Sequence, residues 1–199
     1  VKILLGTKNP GKINEILSIF SELDSVEWLT FVNTAFGNVD EDGSTFQENA
    51  LKKARQISHE TGLAVLAEDS GLEVLVLESA PGVRSARFAG DKATDAQNIH
   101  KLLVLLENQD DRHAQFRCCA VLVAPDGREW HSDGVLHGEI ALEPRGTHGF
   151  GYDPVFIPQG HSKTLGELGQ EVKDLISHRR KALQGLENQI IKLSSEDQD

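Results

Sequence analysis

The chain has 199 residues, is 39% hydrophobic and 26% charged, and carries a formal net charge of −11. That is enough apolar material for the core of one large domain or a two-lobed one. Such an acidic balance argues against nucleic acid and anionic lipid as partners, because most of the surface repels them, and an anionic ligand would need positive charge gathered locally.

In chain order, residues 1–5 read as a short strand. Residues 12–20 read as a helix with Ile13, Ile16, Leu17 and Phe20 on one face. A second strand is predicted over 26–32, followed by a polar stretch, 33–44, that holds the acidic run Asp40-Glu41-Asp42. Thr45-Phe46-Gln47-Glu48 has the capping-box pattern and opens a helix to about residue 60. Two apolar strands, 63–67 and 72–77, are predicted around Glu68-Asp69-Ser70-Gly71. A helix follows over 94–106, with Ile99, Leu102, Leu103 and Leu106 on its buried side. Residues 116–124 and 129–136 flank Pro125-Asp126-Gly127, a hairpin signal. A strand at 155–157, a closing helix at 178–193 and a frayed, charged tail at 194–199 complete the reading. Helices and strands in mixed order with a hairpin predict an α/β or α+β mixed sheet, not a purely parallel one.

The cysteines, Cys118 and Cys119, are adjacent. Neighbours in a strand point to opposite faces, so two free thiols in a reducing compartment are expected. The apolar run Ile3-Leu4-Leu5 is too short for a signal peptide or a membrane span. A cytoplasmic protein with no membrane partner is expected.

Three constellations carry chemistry. Gly6-Thr7-Lys8-Asn9-Pro10-Gly11-Lys12 lies between the first strand and the first helix and formally matches G-x-x-x-x-G-K. A full P-loop needs Ser or Thr next, and here Ile13 follows; Pro10 also removes one N–H from the cradle. A helix N-terminus still favours an anion, and Thr7, Asn9 and Lys12 add donors. A capped helix start with a solvated lysine fits the same residues. The second constellation is acidic: Asp40-Glu41-Asp42, and Glu68-Asp69 at the end of an apolar strand. Magnesium is often held by one or two carboxylates plus substrate phosphate. A solvated acidic loop at 40–42 and an N-cap at Asp69 are the plainer readings. The third is Gly146-Thr147-His148-Gly149-Phe150-Gly151-Tyr152-Asp153-Pro154, where glycines surround a ring and a carboxylate. A flat apolar face beside an acceptor suits a heterocycle with polar edges, and a surface loop with a tucked-in ring fits equally. Basic residues recur at Lys52-Lys53, at Lys173 and in Ser177-His178-Arg179-Arg180. No histidine pair has zinc spacing and no Ser-His-Asp arrangement stands out.

Six motifs in fixed order give the chain a resemblance: Thr7-Lys8-Asn9-Pro10-Gly11-Lys12, Thr45 to Ala50, Glu68-Asp69-Ser70-Gly71-Leu72, Pro81 to Arg87, Gly149 to Pro154, and Ser177-His178-Arg179. The chain resembles the inosine triphosphatase family, the non-standard purine nucleoside triphosphate pyrophosphatases, from residue 1 to about residue 193. The resemblance implies a long mixed central sheet with flanking helices, in a single domain (1–199) whose two lobes enclose a cleft. It implies a magnesium-dependent homodimer that cleaves ITP, dITP or XTP to the monophosphate and pyrophosphate, cleansing the nucleotide pool. By the same resemblance Thr7, Lys8, Asn9, Pro10, Gly11 and Lys12 hold phosphate, with Lys53 and Lys173 adding charge there. Glu41 and Asp69 bind magnesium, and Asp69, with Lys53, serves catalysis as the base for the attacking water. Ser70 joins the substrate set, and Phe150, Gly151, Tyr152, Asp153, His178 and Arg179 hold base and sugar. Two departures stand out. The usual Asp-Asp-Ser-Gly is Glu68-Asp69-Ser70-Gly71, and the usual Gly-Thr-Gly-Gly-Phe-Gly carries His148 at its third place. A pyrophosphatase for modified pyrimidine triphosphates, and a nucleotide-binding regulatory module without turnover, are the competing functional readings.

Overall fold

A computed structural model describes residues 1–196. Among these, six strands join in one mixed sheet, and the chain divides into two compact units, each with its own apolar core. The strands are β1 (Lys2–Leu5), β2 (Glu27–Leu29), β3 (Ala64–Val74), β4 (His113–Val123), β5 (Glu129–Ile140) and β6 (Phe156–Pro158). Their order is β2-β1-β3-β4-β5-β6. β1 runs parallel to β2 and β3, and β5 antiparallel to β6.

The first unit comprises 1–69, 118–134 and 179–199. It contains α1 (Pro10–Ile19), α2 (Phe46–Thr61) and α7 (Glu187–Glu196), together with all of α6 (His178–Gln184) after its first residue. Ile13 and Ile16 of α1, and Phe20 at its C-cap, pack with Ile3 and Leu5, with Ala64 and Leu66, and with Ala182, Leu183 and Ile190. Both helix starts follow from local chemistry. Asn9 caps α1 by accepting from the Lys12 amide, and Pro10 takes the first turn, where its missing N–H costs nothing. Thr45 and Glu48 complete the capping box of α2, and Gly62 ends it in the left-handed conformation.

The second unit comprises 70–117 and 135–178. It contains α3 (Asp95–Leu105), capped by Thr94 and Gln97, and two short helices, α4 (Leu165–Leu168) and α5 (Gln170–Ile176). Leu72, Val74, Ile99, Leu102, Phe116, Leu136, Val155 and Phe156 form its core.

Three expectations are corrected. The two strands predicted at 63–67 and 72–77 are one strand, β3, and Glu68 to Gly71 lie inside it; residues 75–77 form a 3-10 turn. The charges are tolerated mid-strand because each meets a partner, as described below. The helix predicted over 178–193 is broken into α6 and α7 around Gly185 and Leu186. A Cβ at Gly185 would lie 2.0 Å from Ser132 Oγ, so the break brings backbone close to that side chain. The frayed tail expected from 194 is helical through Glu196, and its remainder lies outside the described residues.

Candidate active site

In the first unit the turn after β1 carries Thr7 to Lys12. Thr7 Oγ1 accepts from the Asn9 amide at 3.2 Å, and Lys8 donates to Asn38 at 2.8 Å. Gly6 is required by packing: a Cβ there would approach Ala67 Cβ to 2.9 Å. The turn and the first residues of α1 thus form a capped helix start, with Lys8 exposed and Lys12 largely covered.

β3 divides its two acids. Successive side chains of a strand project to opposite faces, so Glu68 meets one set of helices and Asp69 another. Glu68, 1% exposed, accepts from Lys12 Nζ of α1 at 2.9 Å and from Arg179 Nε of α6 at 3.4 Å. Arg179, equally buried, also donates through Nη1 to Glu15 of α1. Burial opposes the charge on Glu68, but Arg179, Lys12 and Lys53 together hold its carboxyl well below the usual range. Burial also works against the Lys12 ammonium, yet Glu68 and Asp69 outweigh Arg179 and raise its pKa. The Cys118 thiol lies 3.5 Å from Glu68, and burial followed by that carboxylate pushes it well above its ordinary value.

Asp69 faces α2. Asn49 Nδ2 donates to it at 2.9 Å, and Asn49 Oδ1 accepts from the Gly43 amide at 2.8 Å. Lys53, also on α2, donates to Glu41 at 2.8 Å and to the Glu68 carbonyl at 2.8 Å. Burial pushes the Asp69 carboxyl up; Lys53 and Lys12 oppose that rise and Glu41 adds to it. Among the described residues no three His, Cys, Asp or Glu side chains converge as a metal cage. Glu41 and Asp69 do feel one another, and a divalent cation would relieve that repulsion. Two carboxylates completed by substrate phosphate are a normal magnesium donor set.

In the second unit the glycine loop is organised by Asp153. Its Oδ2 accepts from the Phe150 amide at 2.9 Å and from Lys173 Nζ at 2.6 Å, and Lys173 sits 4.4 Å from the centre of the Phe150 ring. Asp153 and Lys173 are 2% and 3% exposed. Gly149 has φ +79, and a Cβ there would lie 2.0 Å from Asp153 Oδ2, so only glycine lets the loop close on this carboxylate. The Gly151 amide donates to Asp95, and Tyr152 OH donates to the Ser85 carbonyl. His178 stacks on Phe116 with ring centres 4.8 Å apart. Ser70 is partly buried at the first position of this unit. The exposed His148 gives its amide to the Gly166 carbonyl at 3.0 Å, so its backbone helps close the loop.

The structure therefore gathers Lys12, Glu41, Lys53, Asp69 and Arg179 within the first unit, and Phe150 to Asp153, Lys173 and His178 within the second. Three of the expected site residues have partners within the chain. Lys173, grouped by the resemblance with the phosphate lysines, pairs with Asp153 beneath Phe150. Asp153, expected to help hold base and sugar, accepts through Oδ2 from the Phe150 amide of its own loop and from that lysine. Arg179, expected to help hold base and sugar, directs Nη1 and Nε to Glu15 and Glu68. Sequence reasoning missed Asn49 and Glu15 as site residues. A buried Asn one position after a capping box was the available signal for Asn49.

A family model described as the Ham1 family matches residues 3–189. The chain belongs to the Ham1 family. Among its relatives, a protein of Geobacter sulfurreducens named dITP/XTP pyrophosphatase is 45% identical over 184 residues, covering 92% of each chain. One of the same name from Coxiella burnetii is 43% identical over 190 residues, covering 94% of each. Among solved Ham1 structures, the Coxiella burnetii protein superposes with a TM-score of 0.88 at 41% identity, covering 96% of this chain and 99% of that one. The Staphylococcus aureus Ham1 protein gives 0.86 at 39% identity, with the same coverage. The mixed α/β fold of this chain is shared with both solved structures.

Proposed function

We infer that this chain is a nucleoside triphosphate pyrophosphatase. It hydrolyses non-standard purine nucleoside triphosphates, dITP, XTP and ITP, to the monophosphate and pyrophosphate. The relatives of this length and identity carry that name, and the observation in the chain itself that carries the reading is Asp69. It is a nearly buried carboxylate, held by Asn49, with its pKa raised by burial and further by the charge of a second carboxylate, Glu41. A carboxylate whose proton affinity is raised by burial is suited to take a proton from water.

Hydrolysis at a phosphoanhydride is mainly positioning and charge neutralisation. Lys12 at the start of α1 and Lys53 on α2 supply positive charge, and the N-terminus of α1 adds its amides. Glu41 and Asp69 would hold magnesium, which when bound polarises phosphate oxygens and acidifies water. Asp69 takes the proton of the attacking water as its oxygen bonds to phosphorus, and the leaving phosphate oxygen departs with the anhydride electrons. Phe150 supplies a stacking face for the base, a contact that does not distinguish one purine from another.

Magnesium dependence, homodimerisation and a cytoplasmic location form part of the same proposal. The resemblance motivates all three, and two buried free thiols suit a reducing compartment. Among the described residues no helix is long and apolar enough to cross a membrane. The test is Asp69→Asn assayed with dITP at saturating magnesium. Turnover should fall on the order of a hundredfold or more, the lower end for loss of a general base. Near-native turnover would remove Asp69 from the chemistry.

A further inference from the structure

The ion pair of Lys12 and Glu68 poses a question that phosphate binding alone does not answer. Lys12 is the cation best placed at the start of α1, yet its ammonium already rests on a carboxylate 2.9 Å away. That carboxylate is 1% exposed and is held in place by Arg179, which Glu15 anchors in turn. Lys12, Glu68, Arg179 and Glu15 alternate in sign and sum to zero, and three of the four are essentially buried. The cluster is therefore balanced before any ligand arrives. A phosphate that seats on Lys12 must share the ammonium with Glu68.

We propose that Glu68 is a positioning residue that acts through Lys12 as a built-in competing anion and sets how tightly the site holds phosphate, above all the departing pyrophosphate. This rests on the reading of Lys12 as a phosphate ligand. A phosphate oxygen bonded to the same ammonium comes within about 6 Å of the Glu68 carboxylate. At that separation and the effective dielectric of a half-buried site, removing one unit of negative charge changes anion affinity by about tenfold or more. The opposing effect is loss of the anchor for the lysine side chain. Glu68→Gln isolates the charge, because the amide oxygen still accepts from the ammonium while the competing anion is gone. An enzyme that makes pyrophosphate gains from such competition, since product held too tightly limits turnover.

The experiment measures binding of inorganic pyrophosphate to the full-length protein by titration calorimetry, with magnesium and again in EDTA. Four variants are compared: Glu68→Gln, Glu68→Asp, Lys12→Ala and the double variant Lys12→Ala/Glu68→Gln. Glu68→Gln should tighten binding about tenfold in both media, and pyrophosphate inhibition of dITP turnover should strengthen equally. Glu68→Asp keeps the charge and should stay within about threefold of the parent. In the Lys12→Ala background the gain should shrink to about threefold or less. A carboxylate that merely supports the fold predicts weaker binding for Glu68→Gln, which would overturn the proposal. So would tightening seen only with magnesium. If Lys12→Ala binds pyrophosphate like the parent, the phosphate role of Lys12 falls, and the Glu68 assignment with it. If Lys12→Ala weakens binding while Glu68→Gln leaves it unchanged, only the Glu68 assignment falls.

Discussion

Asn49 holds Asp69 with one end of its amide, at 2.9 Å, and the loop before α2 with the other, through the Gly43 amide at 2.8 Å. One side chain thus fixes the raised-pKa carboxylate and the segment that carries Glu41. Asn49→Ala should cost about 1.5–3 kcal/mol, the range for hydrogen bonds to charged groups, and should lower turnover of dITP. Denaturant unfolding and steady-state kinetics on the same preparation check this. Native stability with native kcat would show that the bond does not orient Asp69.

Lys173 and Asp153 form the buried pair of the second unit. Removing one partner leaves an uncompensated charge in the interior, which typically costs about 3–5 kcal/mol. Lys173→Met should therefore lower Tm sharply and weaken all purine triphosphates alike, because the Phe150 ring loses the cation 4.4 Å from its centre. The double variant Lys173→Met/Asp153→Leu should recover much of the Tm but not the substrate affinity. Equal recovery of both would mean that the pair serves folding alone.

Arg179→Ala tests two roles at once. Glu15 and Glu68 lose their shared partner in the interior, so stability should fall by about 3–5 kcal/mol. The resemblance also sets Arg179 at the base and sugar, so loss of its donors should reduce the ITP-over-ATP ratio of kcat/KM, by roughly 5- to 150-fold if a bidentate base contact is the guide. A lower Tm with an unchanged ratio would leave Arg179 as a counter-ion and end its candidacy as a base reader.

Acid should weaken the first unit through Glu68. Its folded pKa is held well below the ordinary carboxylate value of 4.5. The unfolded chain then binds more protons than the native one at acid pH. The stability from Glu68 is present above pH 4.5 and is lost as pH falls through the folded pKa. Unfolding free energy measured from pH 6 downward should fall less steeply for Glu68→Gln than for the parent. Identical slopes would deny Glu68 its share in acid stability.

Much of the fold was legible because local rules agreed with the global one. The capping box at Thr45 and Glu48, the apolar face of α1 and the turn at Asp126-Gly127 each match the structure. β3 was misread as two strands because its charges look unfavourable in isolation. What neutralises Glu68 comes from Lys12, 56 positions before it, and Arg179, 111 positions after it, and no local pattern reveals either. α4 and α5 escaped notice because four and seven residues are too few to display a helical period. The site motifs were legible as residue types, but their pairings were not. The resemblance marks Lys173 as a phosphate lysine, but its contact with Asp153 beneath Phe150 is not visible in the sequence.

Incubation with ITP and magnesium, followed by identification of the products, bears on the central claim most directly. IMP and pyrophosphate in equal amounts, with ATP and modified pyrimidine triphosphates turned over far more slowly, is the predicted result. IDP with orthophosphate as the direct products, turnover confined to pyrimidine substrates, or binding of ITP without turnover would contradict it.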